Sequence, residues 1–119
     1  MKIVTTEVTV DANAISSKIE AAIHDESVLT QVHQELADTV NPWVPYDTGA
    51  LSQNITVSAS GVTYTEEYAA KQYYGEEFHH KTEHHPLATA YWDKVAMQTE
   101  REAFAERVKE IIVRRLHNG

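Results

Sequence analysis

Cysteine is absent from the 119 residues. That absence excludes disulfides, thiol nucleophiles and thiolate metal sites together, and it fits a reducing compartment. Long apolar runs are missing as well. The longest purely aliphatic run is Ile111-Ile112-Val113, far short of the roughly 20 residues that a membrane-spanning helix needs. The opening MKIVTTEVTVD has no continuous apolar core and carries Glu7 and Asp11 early. It therefore predicts no signal peptide, and the chain reads as soluble with no membrane partner. Positive charge is scarce: 10 basic side chains stand against 18 acidic ones, a formal net charge of −8. A duplex-binding domain needs a basic footprint to displace counterions from phosphate. Here the basic residues cluster at Arg101, Arg107, Lys109, Arg114 and Arg115, interleaved with Glu100, Glu102, Glu106 and Glu110. That pattern predicts a solvated, ion-paired helix face and no specific nucleic-acid partner. Neither a glycine-rich phosphate loop nor a Gly-x-Ser-x-Gly elbow occurs, so no cofactor is expected and nucleophilic catalysis has no local support.

What is present is ordinary globular material, 42% apolar and 24% charged. The length suits a single domain over residues 1–119 with one sizeable core. Residues 2–10 alternate with period two and many β-branched side chains, which predicts a half-buried strand. Ile15, Ile19 and Ile23 form a helical stripe, and Val28, Leu29, Val32, Leu36, Ala37 and Val40 form another. His24-Asp25-Glu26-Ser27 interrupts the two, so residues 13–41 read as one bent helix or two packed ones. Asn41-Pro42 ends that segment, because proline disfavours helical geometry in the residue before it. Residues 54–59 and the return from Val62 to Tyr64 alternate around a Ser60-Gly61 turn, the pattern of a β-hairpin. Residues 43–53 could add a further strand. Residues 67–74 predict a short helix closed by Gly75. Pro86 suits a first helical turn, and the stripes from Leu87 to Leu116 predict a long helix over about 87–116. The fold class is α+β: a small antiparallel sheet with a hairpin, packed against N-terminal helices and a long C-terminal helix.

Two clusters raise the question of chemistry. Asp47-Thr48-Gly49 is the triplet of an aspartic protease, and one copy per chain would demand a symmetric homodimer sharing one proton between two carboxylates. The triplet follows Pro42-Trp43-Val44-Pro45-Tyr46, and two prolines there forbid the central strand that feeds such a loop. The bottom-up reading is an Asx-type turn, in which Asp47 bonds the backbone ahead and Gly49 permits positive φ. The second cluster is His79, His80, His84 and His85 within EEFHHKTEHH. On a helix His80 and His84 would share a face and could hold a metal, the basis for a metal-binding module. The stretch has no apolar periodicity, and it reads as an exposed polar loop without a metal site. The many aromatics of the central third, Tyr64, Tyr68, Tyr73, Tyr74, Tyr91 and Trp92, read as core and interface.

Taken together, residues 41–97 carry spaced motifs in a distinctive order: V-P-x-D-T-G-x-L at Val44, Pro45, Asp47, Thr48, Gly49 and Leu51; then, after the hairpin, Y-A-x-x-Q-Y-x-G at Tyr68, Ala69, Gln72, Tyr73, Tyr74 and Gly75; then A-T-x-x-W-D at Ala88, Thr89, Trp92 and Asp93. This string resembles the minor capsid or head–tail connector proteins of tailed bacteriophages and prophages, chiefly those of Gram-positive hosts. The resemblance implies a virion structural protein without catalysis, acting at the neck as a connector or tail-completion component. It also implies self-association into a ring and contacts with other neck, head-completion or tail proteins. The position after Leu51 is basic in many relatives but is Ser52-Gln53 here, so a charged contact is not carried over. The variable loop is the expected partner arm, with Glu77, Phe78, His79, His80 and Lys81 at its centre.

Overall fold

Asp25 starts the first long helix. Its backbone is extended (φ −70°, ψ 128°), and its carboxylate accepts hydrogen bonds from Ser27 N at 2.8 Å and Val28 N at 3.2 Å. The geometry is that of an N-cap, which satisfies donors the helix cannot. The Val28 N–H first, then the Ser27 N–H and Arg115, hold the carboxyl below the usual carboxylate range. The structure, a computed structural model of the chain, describes residues 1–4, 21–45, 50–66, 69–74 and 87–118. In chain order these form β1 (Lys2–Ile3), a helical turn at 21–23, α1 (Glu26–Val40), a 3-10 turn (Asn41–Trp43), α2 (Ala50–Gln53), β2 (Ile55–Ser58), β3 (Gly61–Tyr64), α3 (Ala69–Tyr74) and α4 (Trp92–Asn118). The mix of helices with one small antiparallel sheet is the α+β arrangement expected. The remainder of the expected first strand, residues 5–10, and the start of the first helical segment lie outside the described residues.

The break expected at residues 24–27 is present: the helical turn at 21–23 ends and Asp25 caps the next helix. The stripe Val28, Val32, Leu36, Ala37 and Val40 is buried along one face of α1. The helix does end at Val40, but not because a residue before proline leaves helical space. Asn41 keeps right-handed helical angles (φ −51°, ψ −41°), and Pro42 sits in the first turn of the 3-10 helix. There its missing N–H has no intrahelical partner to lose. The pre-proline restriction acts three residues later: Val44, before Pro45, is extended at φ −74°, ψ 131°. Among the described residues of 43–53, namely 43–45 and 50–53, no strand forms. Asn41–Trp43 is a 3-10 turn and Ala50–Gln53 a helical turn, with Leu51 buried. Four residues of which three are good helix formers, with one apolar anchor, are too few to show any period in the sequence.

Among the described residues the sheet is three-stranded and antiparallel, ordered β1-β3-β2. The hairpin register pairs Ile55 with Tyr64, Thr56 with Thr63, Val57 with Val62 and Ser58 with Gly61. The turn is therefore Ala59-Ser60, one residue earlier than the Ser60-Gly61 turn expected. Gly61 belongs to β3, and its glycine has another cause. Its φ is +149°, and β1 crosses so close that a Cβ would stand 2.6 Å from the Ile3 carbonyl oxygen and 2.7 Å from Val4 Cγ1. β1 joins from the far end of the chain, pairing Lys2 with Thr63 and Ile3 with Val62. Met1 extends the ladder by exchanging backbone hydrogen bonds with Tyr64.

α4 packs antiparallel to α1 and brings Trp92, Ala96, Phe104, Val108, Ile111 and Ile112 into one core with the α1 stripe, Ile3, Val62 and Tyr64. At the polar margin Arg107 donates to Thr39 Oγ1 at 2.9 Å and lies 3.4 Å from Glu35, while Arg115 meets Asp25 at 3.5 Å. These basic residues of α4 pair across to α1 rather than only along their own helix. His33 is buried on α1, its Nδ1 3.0 Å from the Leu29 carbonyl oxygen, with the Ser58 carbonyl and Lys2 nearby. Burial above all, together with the Lys2 charge, lowers its pKa against the opposing pull of the two carbonyls.

Candidate functional site: an aromatic clasp joining three motif segments

The start of α4 differs from expectation in a way that shapes the site. The apolar stripe placed the helix start near residue 87, but the helix begins at Trp92 and Leu87 is 51% exposed. Tyr91 has φ 49°, a left-handed conformation that a helix cannot contain. The backbone donors ahead of the helix are used for tertiary bonds. Thr89 N–H donates to the Trp43 carbonyl at 3.0 Å, and Tyr91 N–H donates to the Tyr73 carbonyl at 2.9 Å. The helix proper then opens with Val95 N–H donating to the Tyr91 carbonyl at 3.0 Å.

Those two bonds tie together the three segments that carry the sequence motifs. Trp43-Val44-Pro45 is held to Thr89; α3 is held to the turn before α4. Aromatic packing fills the junction. The Tyr73 ring meets Trp92 edge to face at 4.9 Å between centroids, Tyr74 at 5.0 Å and Tyr91 at 5.2 Å. Tyr64, from β3, meets Trp92 at 5.2 Å in the same T-shaped manner. Each such pair is worth about 0.5–1.5 kcal/mol beyond the area it buries. The Tyr73 hydroxyl donates to Asp93 Oδ1, so the W-D pair serves twice: the indole fills the core and the carboxylate anchors α3. Burial first, then the Asp93 hydrogen bond and charge, push the Tyr73 phenol well above its ordinary value. Burial likewise pushes Tyr64 up to about 12, against the Trp92 indole, which favours the phenolate. The indole Nε1 nevertheless makes no well-formed hydrogen bond. Phenols so shifted stay neutral through the physiological range and act as packing and donor groups rather than bases.

Of the residues singled out in the sequence, Val44, Pro45, Leu51, Ala69 and Trp92 are buried. Tyr74 caps the clasp on the outside, 62% exposed, with Tyr91 partly exposed beside it and Lys94 Nζ 5.8 Å over the Tyr91 ring. Tyr91 occupies a variable position of the A-T-x-x-W-D motif; the sequence marks it as a core or interface aromatic but not as a turn residue with positive φ. Asp47, Thr48, Gly49, Tyr68 and Gly75 lie outside the described residues, as do Glu77, Phe78, His79, His80, Lys81 and His84. The described flanks of the triplet bear on the protease reading. A 3-10 turn and the buried Val44-Pro45 precede it and a helical turn follows it, so among the described residues 41–45 no β-strand leads toward the triplet. Among the described residues, no group of three histidine, aspartate or glutamate side chains could hold a metal ion. The grooves on α4, lined by Glu106, Lys109, Glu110, Val113 and Arg114 and by Lys94, Met97, Gln98, Thr99, Arg101 and Glu102, are open and shallow. No described helix is long and apolar enough to cross a membrane.

The clasp is thus a structural lock, with its donors and acceptors turned on one another. No curated protein and no solved structure matches the chain. A protein-family model described as minor capsid protein matches residues 6–110, a span that contains the clasp, the hairpin and most of both long helices. The chain therefore belongs to the phage minor capsid protein family, a virion structural component.

Proposed function

We propose that this minor capsid protein acts at the head–tail junction, as a non-catalytic, ring-forming connector or tail-completion subunit. The observation that carries the reading is the clasp. The motif residues that resemble connector proteins and fall within the described structure are used to lock α3, the 41–45 segment and the start of α4 together. A scaffold that spends its aromatic and carboxylate groups on internal locking is suited to bearing load between neighbours. The aromatic rim left outside, Tyr74 with Tyr91, has the composition of a protein-contact surface. The acidic balance supports the same reading, since a net charge of −8 lets DNA pass a ring without adhering. Residues 77–81 are the proposed arm toward neck or tail partners.

The test is removal of the gene from a producing phage or prophage, with electron microscopy of the lysate. The expected result is DNA-filled heads and finished tails that fail to join, rescued by the wild-type gene and by Asp47→Asn. Malformed or empty heads, or normally joined particles, would refute the junction assignment. Failure of Asp47→Asn alone to rescue would return attention to Asp47 chemistry.

A further inference from the structure

The sheet has one edge whose chemistry selects its own partner. β2 is the outer strand of the order β1-β3-β2. The turn at Ala59-Ser60 makes Ser58 and Gly61 a mutually hydrogen-bonded pair, and the antiparallel alternation then directs Thr56 and Asn54 inward to β3. The Thr65 N–H donating to the Asn54 carbonyl at 2.9 Å continues the same period. The N–H and C=O groups of Ile55 and Val57 accordingly point away from the sheet, and no described residue pairs with them. Natural edges are guarded by lysine, proline, inward charges or bulges. Ile55-Thr56-Val57-Ser58 has none of these.

Charge argues for the occupant. Residues 48–65 contain no charged side chain, in a chain that carries −8 overall. The net charge of −8 sets two copies against each other over the chain as a whole. This edge adds no charge to that repulsion, and it offers a basic partner no acidic side chain of its own. We propose that the β2 edge pairs antiparallel with the β2 edge of a second copy, about a two-fold axis at Thr56. Ile55 then exchanges backbone hydrogen bonds with the other Val57, Asn54 faces Ser58, and Thr56 faces Thr56. All of these pairs are neutral, and Thr–Thr is a favourable cross-strand pair. Ile55 and Val57, already half-buried on the core, become further covered. A two-fold contact uses the same patch on both copies and closes at two, so it does not build a ring. The inference therefore goes beyond the junction reading, and concerns the free protein whether or not that reading holds.

The test uses the full chain. Thr56→Cys introduces a sole cysteine. At a non-hydrogen-bonded antiparallel pair the Cα atoms lie about 4.5 Å apart, within the range a disulfide spans. Mild oxidation is expected to yield a covalent dimer at least tenfold faster than Gln53→Cys, an exposed control on the same surface. Sedimentation of the wild type should show a monomer–dimer equilibrium. Thr56→Lys and Thr56→Glu should each shift it at least tenfold toward monomer, and mixing the two should restore dimer. Thr56 is exposed, so folding of every variant is checked by circular dichroism and is expected to be unchanged. Equal cross-linking at both cysteines, a wild type that is monomeric throughout or forms only larger species, or charge variants that dimerise like wild type would overturn the proposal.

Discussion

Replacing Gly61 by alanine tests the reasoning about the sheet most directly. Two penalties add. The residue holds φ +149°, outside the space an L side chain adopts readily, and a non-glycine residue forced there costs about 1–3 kcal/mol. The new Cβ would also stand 2.6 Å from the Ile3 carbonyl oxygen and 2.7 Å from Val4 Cγ1. The first of these is backbone, so relief requires β1 to move outward by most of an ångström, loosening its pairing with Val62 and Thr63. Overpacking of this kind costs about 1–3 kcal/mol. The expected loss is about 2–6 kcal/mol, a large share of the total for a domain whose stability is about 5–15 kcal/mol. At about 4 °C per kcal/mol for a chain of this size, the melting temperature should fall by roughly 8–24 °C. The assay is thermal unfolding by circular dichroism, with Ala59→Gly in the adjacent turn as a control expected to shift it little. Hydrogen exchange should further show Val62 and Tyr64 amides, which serve β1, losing protection before Thr63, which serves β2. A loss below about 0.5 kcal/mol, the scale of an ordinary surface change, would refute both the close crossing and the need for positive φ.

Two further outcomes follow from the side chains. Tyr73→Phe keeps the ring packing but removes the donor to Asp93; because Asp93 is only half-buried, the expected cost is about 1–2 kcal/mol, below the top of the range for hydrogen bonds to charged groups. Chemical denaturation measures it, and an unchanged midpoint would show that the hydroxyl anchors nothing. His33 has its pKa lowered in the folded chain, chiefly by burial, so the unfolded chain takes up the proton first as pH falls. Stability contributed at neutral pH is therefore lost through and below the ordinary histidine value of 6.5, levelling off beneath the folded value. His33→Gln should melt with a smaller drop between pH 7.5 and 5.5 than the wild type; an equal or larger drop would assign the acid sensitivity to the other histidines.

Much of this fold could be read from local pattern, and the places where it could not share a cause. The α1 stripe, its break at Asp25 and the hairpin were all legible, because each is set by residues close in sequence. The start of α4 was not: Leu87 and Ala88 continue the apolar stripe, while Thr89 and Tyr91 spend their N–H groups on tertiary bonds to Trp43 and Tyr73 outside the helix. The helical turn of α2 is too short to carry a period. The glycine at 61 was legible as a special position but not for its reason, which is a strand arriving from the other end of the chain. The clasp was visible only as a list of motifs. Nothing in their spacing says that Tyr73 and Asp93 touch, although an aromatic-rich segment and a Trp-Asp pair were both prominent.

The crossing of β1 over Gly61 also sets an order of events during synthesis. Met1 and Tyr64, which exchange backbone hydrogen bonds, are separated by 63 positions. At ribosomal speeds of about 5–20 residues per second, that interval takes roughly 3–12 s, whereas a hairpin closes in about 1–10 μs. β1 therefore leaves the ribosome seconds before its template exists. β2 and β3 can join as soon as they emerge, and β1, the first made of the three described strands, then becomes the last of them to enter the sheet. Nascent chains halted before Gly61 should expose Lys2 to trypsin, and chains released beyond α4 should protect it.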